Sequence, residues 1–243
     1  MKKEGNRNFC KVLWVFWNGG IMKILIICAM EAERDGFLNK LNVEPIIING
    51  IKIYKAFIDN KEIYLAKSAV GKVNAAMLTT ALSLKLKPTY IINAGIAGAL
   101  NPDLKPLTVV ASTKIYEHDL DLTLFGLRKG ELDDGSYYYK GSPKLLSLLD
   151  DDVIKGQMVS GDQFISSKEQ LEEIKKHFKK ALTCDMEGAS IAHVATLLSR
   201  KFLVIRAISD NVFIEKQDEV YFDNKPKAIE KVVNKTINLI KKL

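Results

Sequence analysis

At 243 residues, 47% hydrophobic and 27% charged, the chain has ordinary globular composition and room for one large α/β domain or two small ones. Its three cysteines, Cys10, Cys28 and Cys184, are odd in number and lack metal-ligand spacing. That excludes a disulfide framework, fits a reducing, cytoplasmic compartment and, with only three scattered histidines, leaves no zinc site. The excess of 36 basic over 29 acidic residues, +7, is mostly lysine, which excludes an arginine-rich nucleic-acid reading surface and leaves weak polyanion binding open.

Residues 1 to 21 differ from the rest of the chain. Lys2, Lys3, Arg7 and Lys11 precede the apolar run Val12 to Trp17, which is too short for an h-region or a membrane span. They read as an extension outside the domain, with export as the alternative. The domain, residues 22 to 243, begins at Met22–Cys28, a continuous apolar run typical of a buried strand. A helix with Phe37, Leu38 and Leu41 on one side comes next. Pro45–Ile48, Ile51–Ile58 and Glu62–Lys67 read as strands joined by the turn pairs Asn49-Gly50 and Asp59-Asn60, so the sheet is expected to be mixed.

Val73 to Leu84 keeps helical spacing and is stopped by Lys87-Pro88; Tyr90–Asn93 is the next strand. The glycines of Ala94-Gly95-Ile96-Ala97-Gly98 match neither the dinucleotide fingerprint nor a P-loop, and read as backbone that lets a ligand approach closely. Leu107–Ser112 reads as a strand and Ile115 to Leu132 as a long, binding loop. Gln157 to Ile165 reads as a strand running into a polar-aromatic loop, and Ser167 to Lys180 as a charged helix.

From Leu182 to Asp210 the pattern is strand, helix, strand, which places both strand ends on one edge of a parallel sheet, where open α/β sheets bind ligands. A loop from Asn211 to Asp223 and a covering helix from Pro226 complete the chain. Lysines gather at Lys175, Lys176, Lys179 and Lys180 and again from Lys225 to Lys242. Solvated helix faces are the plain reading, and a polyanion site on these lysine-rich helices is the other.

Acids stand at four strand exits: Glu33, Asp162, Asp185 with Glu187, and Asp210. Asp185 also suits a helix cap and Glu187 a helix dipole. With no EF-hand spacing and no nucleophile elbow, the surviving chemistry is acid-base work on a small ligand: one carboxyl protonates a leaving group, another activates water, a third holds hydroxyls. Met30, Met186, Phe164 and Phe222 suit apolar walls.

Six ordered motifs, Ala29-Met30-Glu31-Ala32-Glu33, Ser68-Ala69-Val70-Gly71-Lys72-Val73, Asn93 to Gly98, Ser160 to Ile165, Asp185-Met186-Glu187-Gly188-Ala189 and Arg206 to Asp210, give the chain its resemblance to the 5'-methylthioadenosine/S-adenosylhomocysteine nucleosidases of the nucleoside phosphorylase superfamily. The resemblance implies a three-layer α/β/α fold around a central mixed, twisted sheet. It implies hydrolysis of the N-glycosidic bond of methylthioadenosine, S-adenosylhomocysteine and 5'-deoxyadenosine to adenine and the 5-substituted ribose, as in methionine salvage, with no metal or organic cofactor.

By that resemblance Asp210 protonates the purine N7, Glu33 activates water, and Glu187 holds the ribose hydroxyls beside Met186, Met30, Arg206 and Asp185. Phe164 stacks on the base and the Ile165 backbone reads its edge. Val70 and Phe222 line the alkylthio end, and Leu122 and Phe125 reach a neighbouring subunit's site in a homodimer. Ile96 stands where many relatives carry serine. The rival readings are a phosphate-dependent purine nucleoside phosphorylase, disfavoured because Glu33 repels phosphate, and a polyanion-binding surface protein that keeps the fold.

Overall fold

The computed structural model describes residues 21–211 and 217–243, so all of the expected N-terminal extension except Ile21 lies outside the described residues. β1 (Lys23–Cys28) is the buried strand that its apolar run predicts, and its side chains alternate between two cores. Ile24, Ile26 and Cys28 join the layer of α1 (Glu31–Leu38) and α6 (Gln217–Lys241); Leu25 and Ile27 join that of α2 (Lys72–Leu86) and α5 (Gly188–Leu197). Full burial stabilises each such Ile or Leu by roughly 1.5–3 kcal/mol. The result is the three-layer α/β/α arrangement.

Ten strands form the sheet. β2 (Val43–Ile48), β3 (Ile51–Ile58) and β4 (Lys61–Lys67) are an antiparallel meander, and Asn49, Gly50 and Asp59 supply the positive φ of its turns. β4 then lies parallel to β1, and β1 parallel to β5 (Tyr90–Ala99).

Beyond β5 the sheet closes into a ring. β5 runs parallel to β10 (Lys201–Asn211), β10 antiparallel to β6 (Val109–Glu117), and β6 parallel to β8 (Ile154–Ser160). β8 is parallel to β9 (Ala181–Asp185), which returns antiparallel to the end of β5. β7 (Tyr139–Lys140) hangs on β6. The short α3 (Pro143–Ser147) and the charged α4 (Lys168–His177) cover the outside, and α4 buries Leu171 and Ile174 against Tyr116, Val159 and Phe178.

Four expectations need correction. β9 and β10 are not parallel neighbours: they run in opposite senses, and their ends meet because both pair with Gly98, β10 through Asp210 and β9 through Cys184. The glycine-rich stretch after Asn93 is strand rather than loop, since Gly95 to Ala99 stay paired to β10. β6 starts later and ends later than expected, because Leu107 has φ +69 and pairing to β8 persists to Glu117. The last helix begins at Gln217 and contains Pro226, which removes one backbone donor without ending the helix.

Lys235 in the same helix and Lys242 just past its end are ion-paired to Asp150 at 2.9 and 2.5 Å, so part of the lysine-rich tail is committed to holding α6 on the domain. No helix among the described residues is long and apolar enough to cross a membrane.

Candidate active site

Glu33 lies in the first turn of α1, where the helix leaves backbone donors unpaired. Its Oε2 accepts from the Ala29 and Met30 amides, both at 3.0 Å, and its Oε1 from the Ile96 amide at 2.9 Å. Burial raises its pKa, against the Arg206 charge and the three amides. The sequence reads the glycine run as backbone that a ligand approaches; in the structure it is the protein's own Glu33 that lies tightly against Gly95, with Asp210 at ordinary contact distance from Gly98. A Cβ on Gly95 would collide with Glu33 Oε1, and one on Gly98 would sit 3.4 Å from Asp210 Oδ2.

Asp185 and Glu187 divide the work that the sequence left open. Asp185 Oδ1 caps α5 by accepting from the amides of Glu187 at 3.2 Å and Gly188 at 2.9 Å, and also accepts from Ser160 Oγ. Its Oδ2 is 2.8 Å from Arg206 Nη2, an ion pair without aligned hydrogen-bond geometry. Glu187 turns away from the cap, and its Oε1 accepts from the Gly71 amide at 2.9 Å. Burial, then the charge of Asp185, push the Glu187 carboxyl up to about 7.

Arg206 is itself buried; its Nη1 donates to the carbonyls of Asn93 at 3.1 Å and Ile205 at 3.2 Å, and Nη2 to Asn93 Oδ1. Asp210, 1% exposed, accepts from Ser209 Oγ at 2.5 Å and from Gln217 Nε2 at 2.6 Å.

These groups surround a cleft of about 670 Å3, counting its open mouth. Of the residues selected from sequence, it brings together Met30, Glu33, Val70, Ile96, Phe164, Ile165, Asp185, Met186, Glu187 and Asp210. Arg206 stands behind the lining, within reach of Asp185. Phe222 is 68% exposed and outside the lining; its neighbour Tyr221 lines the cleft instead, with its Oη 3.8 Å from Met30 Sδ and its ring edge-on to Phe164.

Leu122 and Phe125 do not line this chain's cleft, and Phe125 is 76% exposed. Asp162, the fourth acid at a strand exit, is not in the lining either: its Oδ1 accepts from the Lys72 amide at 2.8 Å and so caps α2. Tyr221 and Gln217 escape the sequence reading, whereas Asn93 and Ser209 lie inside its motifs with no role assigned to them. Of the two that escape, only Tyr221 carried a signal, as an aromatic beside Phe222.

Apolar walls, two carboxyls with raised pKa and two further buried acids equip the cleft for proton transfer to and from a flat, polar-edged ligand. Among the described residues no Lys or Arg side chain is in its lining. Among the described residues no three His, Cys, Asp or Glu stand in a metal-holding group.

The Glu187 shift has a consequence for stability. From its ordinary value of 4.5 up to about 7 the unfolded chain releases this proton and the folded one keeps it, so ionisation destabilises the fold as pH rises through that window. Glu187→Gln removes the effect. Relative to the unsubstituted protein, the variant is expected to gain as much as about 3 kcal/mol between pH 4.5 and 7, read from denaturant unfolding at each pH. A stability difference independent of pH would contradict the raised pKa.

Residues 23–243 match the family model described as Phosphorylase superfamily. A 5'-methylthioadenosine/S-adenosylhomocysteine nucleosidase of Desulfotalea psychrophila is 33% identical over 230 residues, which is 91% of this chain and 98% of that protein. The nucleosidase of the same name from Neisseria meningitidis, solved in complex with methylthio-immucillin-A, superposes with a TM-score of 0.86 at 30% identity, covering 92% of this chain and 100% of that one. Futalosine hydrolase of Helicobacter pylori superposes equally well, with a TM-score of 0.86 at 28% identity over 92% and 99% of the two chains. With the motif order, the sheet and the cleft all in agreement, the chain belongs to the 5'-methylthioadenosine/S-adenosylhomocysteine nucleosidase family of the phosphorylase superfamily.

Proposed function

We propose that the protein hydrolyses the N-glycosidic bond of 5'-methylthioadenosine and S-adenosylhomocysteine, and of 5'-deoxyadenosine, releasing adenine and the 5-substituted ribose. The observation that supports hydrolysis over phosphorolysis is the lining: among the described residues it holds the carboxyl groups of Glu33, Asp185, Glu187 and Asp210 and no cationic side chain. A phosphate nucleophile needs cations or N–H donors. The amides of Ala29, Met30 and Ile96 are already taken by Glu33, and water needs only a base.

In this reading the Asp210 carboxyl gives its proton to N7 as the C1'–N9 bond breaks, so that adenine leaves neutral. Water attacks C1' and gives its proton to Glu33. Glu187 holds the ribose hydroxyls and, when anionic, stabilises the positive charge that develops on the ribose. Met30 and Met186 pack on the sugar, Phe164 stacks on the base, and the Ile165 backbone reads its edge.

Val70 lines the alkylthio end, where Phe222 arrives only if the start of α6 shifts. Ile96 supplies an apolar wall and a backbone N–H to Glu33 in place of a hydroxyl. No metal or organic cofactor enters this scheme. The buried free thiols Cys28 and Cys184 suit a cytoplasmic site of action.

The working unit is proposed to be a homodimer. α2 presents Val73, Met77 and Leu84 to solvent as one stripe, and the loop after β6 exposes Leu124 and Phe125. A second copy covering these faces would bring Leu122 and Phe125 to its partner's cleft. Light scattering at micromolar concentration is expected to give twice the chain mass, and a fully active monomer would contradict the dimer.

Incubation with methylthioadenosine is expected to release adenine and free methylthioribose at the same rate with or without phosphate, and in the presence of a chelator. Formation of methylthioribose 1-phosphate would sink the hydrolase assignment. Glu33→Gln and Asp210→Asn are each expected to lower turnover by roughly a hundred- to ten-thousandfold. Where chemistry limits the rate, Glu33→Gln removes the acidic limb of the pH profile. Near-normal turnover in both variants would refute the assigned roles.

A further inference from the structure

Gln217, the first residue of α6, lies outside every motif that led to the site, yet it touches the two groups assigned to the base. Its Nε2 donates to Asp210 Oδ2 at 2.6 Å and to the Ile165 carbonyl at 3.0 Å. A purine with an exocyclic amine beside N7 offers the same kind of donor, a planar N–H2 that can bridge a carboxylate and a carbonyl. We propose that Gln217 is an intramolecular competitor for the purine site, so that a base docks only by displacing its carboxamide. The inference rests on the reading of Asp210 and Ile165 as the base contacts.

The element that carries Gln217 is built to yield. Pro226 has no N–H to give the Phe222 carbonyl, which breaks the hydrogen-bond ladder of α6 between its first turns and the rest. No described residue of α6 before Ala228 is buried, whereas Ala228, Ile229, Val232 and Val233 beyond the proline are packed in the core. The early turns are held to the body by polar and edge contacts: the two Gln217 bonds, Asn224 Nδ2 to the Ser209 carbonyl at 3.2 Å, and Tyr221 against Met30. The bond to Asp210, at 2.6 Å, is the shortest of these. Its loss to an incoming purine releases the turn that also carries Tyr221 and the exposed Phe222.

A competitor of this kind lowers apparent affinity by the fraction of molecules in which it is withdrawn. Two hydrogen bonds of ordinary net strength correspond to about a ten- to hundredfold effect.

The test measures adenine binding by titration calorimetry to the unsubstituted protein, to Gln217→Ala and to Gln217→Glu. The first variant has no donor; the second keeps the shape but places a carboxylate against Asp210. Both are expected to bind adenine about ten- to a hundredfold more tightly, with KM for methylthioadenosine falling by a similar factor. Unchanged affinity in both variants overturns the proposal and leaves the base site standing. Weaker binding in both also overturns it, since Gln217 would then contact the base directly. Failure of adenine to bind any of the three proteins overturns the base-site assignment and the proposal with it.

Discussion

One buried guanidinium holds this site together. Arg206 ion-pairs with Asp185 and opposes the upward pKa shift of both Glu33 and Glu187; its Nη1 and Nη2 donate to Asn93 and the strand carbonyls, while its Nε has no hydrogen-bond partner among the described residues. Burial of an unpaired ion costs several kcal/mol, so burial disfavours the ionised forms of Glu33 and Glu187 even with Arg206 nearby. The pKa values report the imbalance. Glu33 and Glu187 are both raised, and in both cases desolvation outweighs the opposing Arg206 charge.

Backbone donors supply what Arg206 does not. Glu33 takes three amides, Glu187 takes the amide of Gly71, and Asp185 takes the first turn of α5. For those amides to reach carboxylates, the chain must come very close to them. Gly95 lies against Glu33, and Gly71 adopts φ +100, a conformation that L side chains resist. Gly98 is placed between β9 and β10, bonded to both, which is how two strands of opposite sense deliver Asp185 and Asp210 to one cleft. The ring closure of the sheet is thus the route by which distant acids are collected.

The sequence was legible where one physical signal dominated. Buried strands, the α2 and α5 helices, and ten of the cleft residues stand where apolar runs, helical spacing and motif order predict. The misreadings arise where a local rule was overruled by pairing. Glycines after Asn93 look like a loop until β10 and β9 bond them on both sides, and Pro226 looks like a helix start until the rest of α6 is seen to continue through it. Gln217 leaves no trace at all, because a single amide side chain has no periodicity, and its partner Ile165 lies 52 residues away in the chain.

The same shortage of positive charge bears on catalysis. Glu187, poised at about 7, is a carboxylate whose ionisation the protein opposes through burial and the Asp185 charge. In the proposed reaction the ribose becomes cationic as the glycosidic bond breaks, and that charge arises beside Glu187. In that proposal a cation there would favour the ionised carboxyl, and the site would bind the charged transition state more strongly than the neutral nucleoside, which is the condition for acceleration rather than mere affinity. A second buried arginine would relieve the electrostatic strain on the carboxyl cluster and remove this preference with it. The excess of acids over Arg206 is therefore the property that suits the cleft to breaking a glycosidic bond.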